Sequence, residues 1–108
     1  MRRFASLCRQ ADFARLRRQG QRISTKSFVI YRSEAVAGDA ASLVGITVSK
    51  AIGKAVVRNK LRRRLAAVIN EALPPRCAMR LLVVARPNAG SLPFAEMQAE
   101  VTSALERV

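Results

Sequence analysis

A helical pattern over residues 55–73 is the feature that most constrains how this chain folds. On a helical wheel at about 100° per residue, its bulky apolar side chains fall within about 80° of one another. These side chains are Val57, Leu61, Leu65, Val68 and Ala72. A stripe of this width predicts a long helix with one buried face. We expect the helix to end before Pro74-Pro75, because the residue before a proline avoids the helical conformation.

The remaining surface of this helix is crowded with positive charge. Residues 50–64 contain seven basic side chains: Lys50, Lys54, Arg58, Lys60, Arg62, Arg63 and Arg64. Like charges four residues apart lie side by side on a helix and repel one another, and no acidic residue occurs between Asp39 and Glu71 to offset them. Helices that are merely solvated usually mix Glu with Lys. The segment therefore predicts an anion-binding helix, in which the small Ala55 and Ala66 would let a phosphate backbone come close.

The charge of the whole chain supports this interpretation. The 108 residues carry 20 Lys and Arg against 7 Asp and Glu, which gives a net charge of +13. Residues 1–70 hold 16 basic and 3 acidic side chains, which is the whole excess, whereas residues 71–108 hold 4 of each. A basic domain of this kind usually binds a polyanion. Half of the residues are apolar, so we expect one folded domain over residues 1–108 that binds such a polyanion.

The rest of the pattern predicts a mixed order of helices and strands. The expected elements are a short helix over residues 11–20 that stops at Gly20, strands over residues 26–32, 43–50 and 80–86, and loops over residues 34–42 and 87–93. The strand over residues 43–50 alternates between an apolar face and a face of small or polar side chains. A last helix is expected to begin near Ser91, a good capping residue, and to bury Phe94, Met97, Val101, Ala104, Leu105 and Val108.

Composition also disfavours several classes of protein. No apolar run approaches the ~18 residues that a membrane span needs. Arg9 lies where a signal peptide would be apolar, so we expect a cytoplasmic protein. Cys8 and Cys77 are too few for a disulfide scaffold, and we interpret both as buried or incidental thiols. The chain has no His, which leaves no zinc-finger spacing.

No enzyme centre is evident from the residues. Gly53-Lys54 resembles the end of a phosphate-binding P-loop, but Ala55 replaces the Ser or Thr that would hold magnesium, and Val48 replaces the first Gly. There is no His to act as a general base near neutral pH, and the seven carboxylates are scattered. We therefore expect no catalytic residues and no metal ligands in the protein itself.

Nucleic acid fits the basic helix better than a membrane surface does. Arg outnumbers Lys near its centre, and the planar Arg fork holds phosphate oxygens in pairs. A membrane-surface helix would need bulky anchors such as Trp or Phe on its apolar face. A DNA-reading helix-turn-helix would need two adjacent helices, whereas this helix lies between strand-like segments. RNA, which is recognised by shape and phosphates, is therefore the favoured partner.

The sequence GITVSKAIGKAVVRNKLRRRL, residues 45–65, resembles the signature of the protein subunit of bacterial ribonuclease P. That signature is a strand ending in Ser-Lys, a short Gly turn and an Arg-Asn-Arg helix. The segments ADF, SFVIYR and LLVVARPNAG and the last helix also follow the order of that family. The resemblance therefore covers nearly the whole chain.

The resemblance implies both a fold and a function. The implied fold is of the α+β class, a two-layer α/β sandwich with a mostly four-stranded sheet and about three helices. Its βαβ crossover would be left-handed, against the usual rule. In that family an RNA subunit with bound magnesium is the catalyst, and the protein helps that RNA to bind precursor tRNA and remove the 5′ leader. The expected partners are therefore ribonuclease P RNA and precursor tRNA, with no membrane, no obligate protein partner and no cofactor held by protein side chains.

The resemblance also implies two binding surfaces. The surface for the catalytic RNA would comprise Lys54, Arg58, Asn59, Lys60, Arg62 and Arg63. The cleft for the leader, between the first helix and the sheet, would comprise Phe13, Arg17, Tyr31, Lys50 and Arg86. Ordinary packing is the alternative role for Phe13 and Tyr31.

Three positions depart from the family pattern. Lys60 replaces an Arg, which keeps the charge and loses the bidentate fork. Ala66 stands where another Arg is frequent, and Arg64 could reach toward the same surface. Arg17 stands where an aromatic residue is frequent, so a phosphate contact is more plausible there than base stacking.

Two other functions stay open from the residues alone. One is a small ribosomal or RNA-chaperone protein that binds RNA without a role in cleavage. The other is a DNA-binding regulator. Rescue of a ribonuclease P RNA at low magnesium would separate the three hypotheses, because only the first predicts it.

Overall fold

The computed structural model describes residues 4–7, 9–73 and 78–106. Its strands and helices in chain order are β1 (Phe4–Ser6), α1 (Gln10–Gln19), β2 (Gln21–Ser24), β3 (Phe28–Glu34), β4 (Ser42–Thr47), α2 (Ala55–Ala72), β5 (Met79–Ala85) and α3 (Phe94–Glu106). Two 3₁₀ turns, Lys50–Ile52 and Pro87–Ser91, follow β4 and β5. Cys8, Cys77, Pro74-Pro75 and Val108 lie outside the described residues.

The strands form one mixed sheet in the order β1-β4-β5-β3-β2. β1, β4 and β5 are parallel neighbours, whereas β5, β3 and β2 are antiparallel neighbours. The described sheet therefore has five strands where the resemblance implied about four, within the same α+β class. The unit β4-α2-β5 is a parallel crossover. Its left-handed sense stays a prediction.

The sheet is covered on both faces, and β5 shows how its side chains are divided. Leu81 and Val83 are fully buried in the larger core, which α2 and α3 complete. Leu82, between them, is fully buried on the other face in a smaller cluster with Leu16 of α1. A strand buried on both faces reads as a continuous apolar run, which is the pattern that predicted it.

The predicted stripe of α2 is confirmed in its centre and wrong at its first turn. Leu61, Leu65 and Val68 are buried, and Ile69 joins them. Val57 is 37% exposed and lines an open groove that α2 forms with Gly90, Leu92 and Met97. The glycine before α2, Gly53, has φ +153°, a conformation that side chains rarely adopt, and this supports the predicted Gly turn.

The last helix begins later than predicted. Ser91 ends the second 3₁₀ turn, and α3 starts at Phe94, after Pro93. Met97, Val101, Ala104 and Leu105 are buried as predicted. Phe94 is 41% exposed, so its assignment to the core is wrong. Within the described residues, no helix combines the length and the apolar character that crossing a membrane requires.

Candidate nucleic-acid interface

The charges of α2 run opposite to the preference of its helix dipole. A helix N-terminus favours acidic side chains and its C-terminus favours basic ones. α1 and α3 follow this rule with Asp12 and Glu96 in their first turns. α2 has no acidic residue in its first turn, no basic residue in its last, and Lys54 at its N-cap. This arrangement of charges lowers the stability of the helix. We therefore infer that the N-terminal end of α2 serves binding.

The cations of α2 are not neutralised by the folded protein. Arg62 donates a hydrogen bond from Nη1 to Oδ1 of Asn59, 3.2 Å away, which orders both side chains on the exposed surface. Arg58 is half-buried, and its Nε has no acceptor among the described residues. No described carboxylate forms an ion pair with a Lys or Arg of α2. The positive charge of this face is therefore available to an external anion.

Arg80 forms ion pairs with Asp12 and Asp39, which are two of the three acidic residues among residues 1–70. Its guanidinium contacts both carboxylate oxygens of Asp39 at 3.0 and 3.1 Å and one oxygen of Asp12 at 3.1 Å. The hydrogen bonds from Arg80 lower the pKa of Asp39, and Asp39 raises the pKa of Arg80. This cluster ties the β3–β4 loop and the start of α1 to β5, away from the basic helix.

Two residues predicted for the leader cleft, Phe13 and Tyr31, lie on the α1 face of the sheet. Phe13 and Tyr31 are half-buried and pack against the smaller cluster that contains Leu82. The ring of Phe13 lies directly over Gly45: a Cβ at position 45 would be 2.6 Å from its Cε1 atom. A glycine within a strand often marks such a close approach, so Gly45 was the signal for this contact. Packing and partial exposure thus coexist at both aromatic side chains.

Arg86 and Lys50 lie at one end of the sheet, just beyond the parallel strands β5 and β4. Lys50 is exposed, and the guanidinium of Arg86 donates a hydrogen bond to Oγ of Ser24. The backbone N–H of Arg86 donates to the carbonyl of Ser27, 2.9 Å away. Arg86 is thus held at this end of the sheet, where it could contact phosphates, whereas the 3₁₀ turn that carries Lys50 packs against α2.

Ser27 is the buried support of this end of the sheet, and the sequence did not reveal it. Its N–H and Oγ–H donate to the carboxylate of Glu100 in α3 at 2.9 and 3.0 Å. The side-chain amide of Asn88 donates to the same Oγ at 2.9 Å. These partners are 73 and 61 residues away from Ser27, so no local pattern could have predicted them.

A groove of about 300 Å³ joins the two predicted surfaces around the edge of the sheet. Phe13 and Gly45 line it from the α1 side, and Arg62 and Arg63 line it from α2. The groove exists because β1 has only three residues and pairs with Ser42 to Val44, so it does not cover the rest of β4. The two surfaces lie on different faces, and this groove makes them neighbours.

The predicted residues of α2 do not all lie together. Arg62 and Arg63 line the groove toward Phe13, and Arg58 lies one turn before Arg62 on the same helix side. Lys60 and Arg64 line a separate groove between α2 and α3. Ala66 lines the groove toward Phe13, so in this structure Arg64 does not lie at the same groove as Ala66.

Two further predicted positions are exposed. Arg17 lies on α1 four residues after Phe13, on the same side of that helix. Lys54 precedes α2 and is exposed at the N-terminus of that helix. Within residues 4–7, 9–73 and 78–106, no three Asp, Glu, Cys or His side chains form a group that could hold a metal ion.

Known proteins resemble this chain over most of its length. The ribonuclease P family model matches residues 1–108. The ribonuclease P protein component of Thermobifida fusca is 41% identical over 107 residues, which cover 93% of this chain and 73% of that protein. The protein of the same name from Acidothermus cellulolyticus is 35% identical over 103 residues, covering 94% of this chain and 86% of the relative.

Solved structures share the same architecture. The Staphylococcus aureus RNase P protein superposes with a TM-score of 0.83 at 27% identity, covering 94% of this chain and 92% of that one. The RNase P protein of Thermotoga maritima gives a TM-score of 0.81 at 23% identity, covering 95% and 96%. At 23% identity, the similarity to the Thermotoga maritima protein shows the fold alone.

Proposed function

Because the chain belongs to the ribonuclease P protein family, we propose that it is the protein component of an endoribonuclease that removes the 5′ leader from precursor tRNA. The observation that carries the proposal is the cationic face of α2, which no described carboxylate neutralises and which a groove joins to the Phe13 surface. A protein that holds a catalytic RNA and its substrate together needs two adjacent RNA-binding surfaces. We propose a cytoplasmic location, where both RNAs are made.

The α2 surface is proposed to bind the catalytic RNA. Arg58, Asn59, Arg62 and Arg63, together with Lys54 at the N-cap, present donors and positive charge along one side of the helix. Arg forks pair with two phosphate oxygens at once, so a curved RNA backbone can be held in a defined orientation. The N-terminus of α2 adds its dipole to the attraction.

The α1 face is proposed to bind the leader. A leader is single-stranded, so its bases are free to stack on an aromatic side chain, and its phosphates are free to meet cations. Phe13 and Tyr31 offer the rings, and Arg17, Lys50 and Arg86 offer the charges. Because Ser27 and Glu100 fix the end of the sheet from which Arg86 projects, that cation approaches the backbone without much loss of side-chain entropy.

The chemistry is proposed to belong to the RNA subunit and its magnesium. The protein would raise the affinity of the complex for precursor tRNA and screen the repulsion between two RNAs, which reduces the magnesium that the RNA needs. The protein alone would cleave no precursor.

A reconstitution tests this proposal. The purified protein is added to a bacterial ribonuclease P RNA at a magnesium concentration too low for the RNA alone, and leader removal is measured. We expect restored cleavage from the parent protein and weaker restoration from the Arg58→Gln, Arg62→Gln double variant. A matched variant, Arg9→Gln with Arg18→Gln, has the same net charge and should restore cleavage as the parent does. RNA binding without restored cleavage would favour a chaperone, and cleavage by the protein alone would contradict the proposed location of the chemistry.

A further inference from the structure

The large apolar side chains that are exposed in the described residues all lie at one place. They are Val56 (78% exposed), Val57 (37%) and Phe94 (41%). Val56 and Val57 line a groove of about 260 Å³ between α2 and the segment that leads into α3. Its floor includes Leu61 and Met97, which belong to the larger core. The helical periodicity assigns Val57 and Phe94 to a core, so their exposure here indicates a surface that a partner covers.

The rim of this groove is cationic. Lys60 and Arg64, one turn apart on α2, both line it, and no carboxylate of the described residues does. The guanidinium carbon of Arg64 lies 6.0 Å from the centre of the Phe94 ring, at the outer limit of a cation–π contact. An occupant that complements both the floor and the rim of the groove combines an apolar part with negative charge.

We propose that this groove binds one unpaired nucleobase of the partner RNA, with the adjoining phosphate held by Lys60. The inference rests on the proposed function and adds a third contact to it, on the side of α2 opposite Arg62. A base extruded from a bulge or loop offers an apolar face to Val57 and Leu61 and can stack on the Arg64 guanidinium. Its phosphate supplies the negative charge.

The charge and the apolar floor of the groove favour a nucleotide over a second copy of the chain or a free phosphate. A second copy of the chain would bring another net charge of +13 to a groove whose rim is already positive. A free phosphate would use Lys60 and Arg64 and leave the apolar floor uncovered. A nucleotide satisfies both parts, and α2 already carries the proposed surface for the same RNA.

Binding measurements at several salt concentrations test the inference. The probe is a transcript of a bacterial ribonuclease P RNA. Val56→Ser with Phe94→Ser removes apolar surface and no charge, and both positions are exposed enough for the fold to persist. We expect this variant to bind about tenfold more weakly, with an unchanged dependence on salt. Lys60→Gln should instead flatten the slope of log K against log salt by about 0.7 to 0.9.

Two controls accompany these variants. Ala95→Ser with Ala99→Ser alters another surface of α3 and should bind as the parent does. Arg58→Gln with Arg62→Gln reports on the proposed function itself. If that variant also binds as tightly as the parent, the proposed function fails. If it binds weakly while Val56→Ser with Phe94→Ser does not, the groove alone is wrong.

Cross-linking identifies the occupant directly. p-Benzoylphenylalanine in place of Val56 is irradiated in the assembled complex, and the RNA is mapped by reverse-transcription stops. We expect a stop at a single unpaired nucleotide. Stops spread along paired regions, no RNA cross-link, or a cross-link between two protein chains would each overturn the proposal.

Discussion

At the scale of single residues, a few side chains determine which surfaces stay available to a partner. Arg80 is 13% exposed and binds the carboxylates of Asp12 and Asp39, which removes two acids from the solvent near α1. Gly45 lacks the side chain that would displace the ring of Phe13. Neither residue belongs to the predicted RNA-binding surfaces, yet each affects which charged or aromatic side chains stay available there.

The Asp39 carboxylate should make folding stability depend on pH. Arg80 holds the pKa of Asp39 below its ordinary value of 3.8. Because the folded-state pKa is below the unfolded one, this stabilisation is complete above the unfolded pKa and is lost as the pH falls through the folded-state pKa. We expect Asp39→Asn to lower the melting temperature by a few degrees at about pH 6 and to flatten its decline between about pH 5 and pH 2. Glu34→Gln, at an exposed position, is the control and should keep the parent's decline.

The contact between Gly45 and Phe13 can be measured by a double-mutant cycle. Gly45→Ala places a Cβ 2.6 Å from Cε1 of Phe13, so the ring must move, and we expect a loss of about 1–3 kcal/mol in the free energy of unfolding. In a Phe13→Ala background the same change should cost much less, because the ring is absent. Urea denaturation of the four proteins measures both costs. Equal costs in the two backgrounds would show that the ring does not occupy this position.

At the scale of elements, α2 is the part that the sequence predicted best. Its length, its central apolar stripe and its unneutralised cations follow from spacing along 18 residues. β1 and β2 were missed because strands of three and four residues at the sheet edges carry no period. The division of the α2 cations between two grooves could not be predicted either. It depends on where β1 and α3 pack against the helix, and those contacts are distant in the chain.

The two proposed RNA surfaces belong to different elements and should fail in different ways. Arg58→Gln with Arg62→Gln removes two phosphate contacts from α2, so assembly with the catalytic RNA should weaken and its salt dependence should flatten by about two units at most. Phe13→Ala in α1 should weaken binding of precursor tRNA by ~1–3 kcal/mol and leave assembly nearly intact. Affinities for precursor and mature tRNA are compared, because only the precursor carries a leader. If the Phe13→Ala variant loses equal affinity for precursor and mature tRNA, or unfolds at a much lower temperature than the parent, Phe13 has a packing role alone.

At the scale of the whole molecule, charge and fold are arranged for a polyanion. The net charge of +13 is carried by residues 1–70, which include α1, four of the strands and most of α2. The strongest repulsion is between neighbouring cations, such as those four residues apart on α2, because exposed charges more than about 8 Å apart are largely screened at physiological salt. The free protein is therefore destabilised by its own charge, and any anion that binds the folded state should stabilise it.

Sulfate should raise the melting temperature by more than screening explains. Binding to the folded state alone stabilises by RT ln(1 + [L]/Kd), and ~1 kcal/mol corresponds to ~4–8 °C for a domain of about this size. Sodium chloride at equal ionic strength accounts for screening. Sulfate also strengthens apolar burial in any protein, so the parent must be compared with variants. We expect Arg58→Gln with Arg62→Gln to lose most of the sulfate-specific gain, whereas Arg9→Gln with Arg18→Gln, which has the same net charge, should keep it. If both variants gain as much from sulfate as the parent does, the side chains of α2 form no specific anion site, and the proposed surface for the catalytic RNA loses its physical basis.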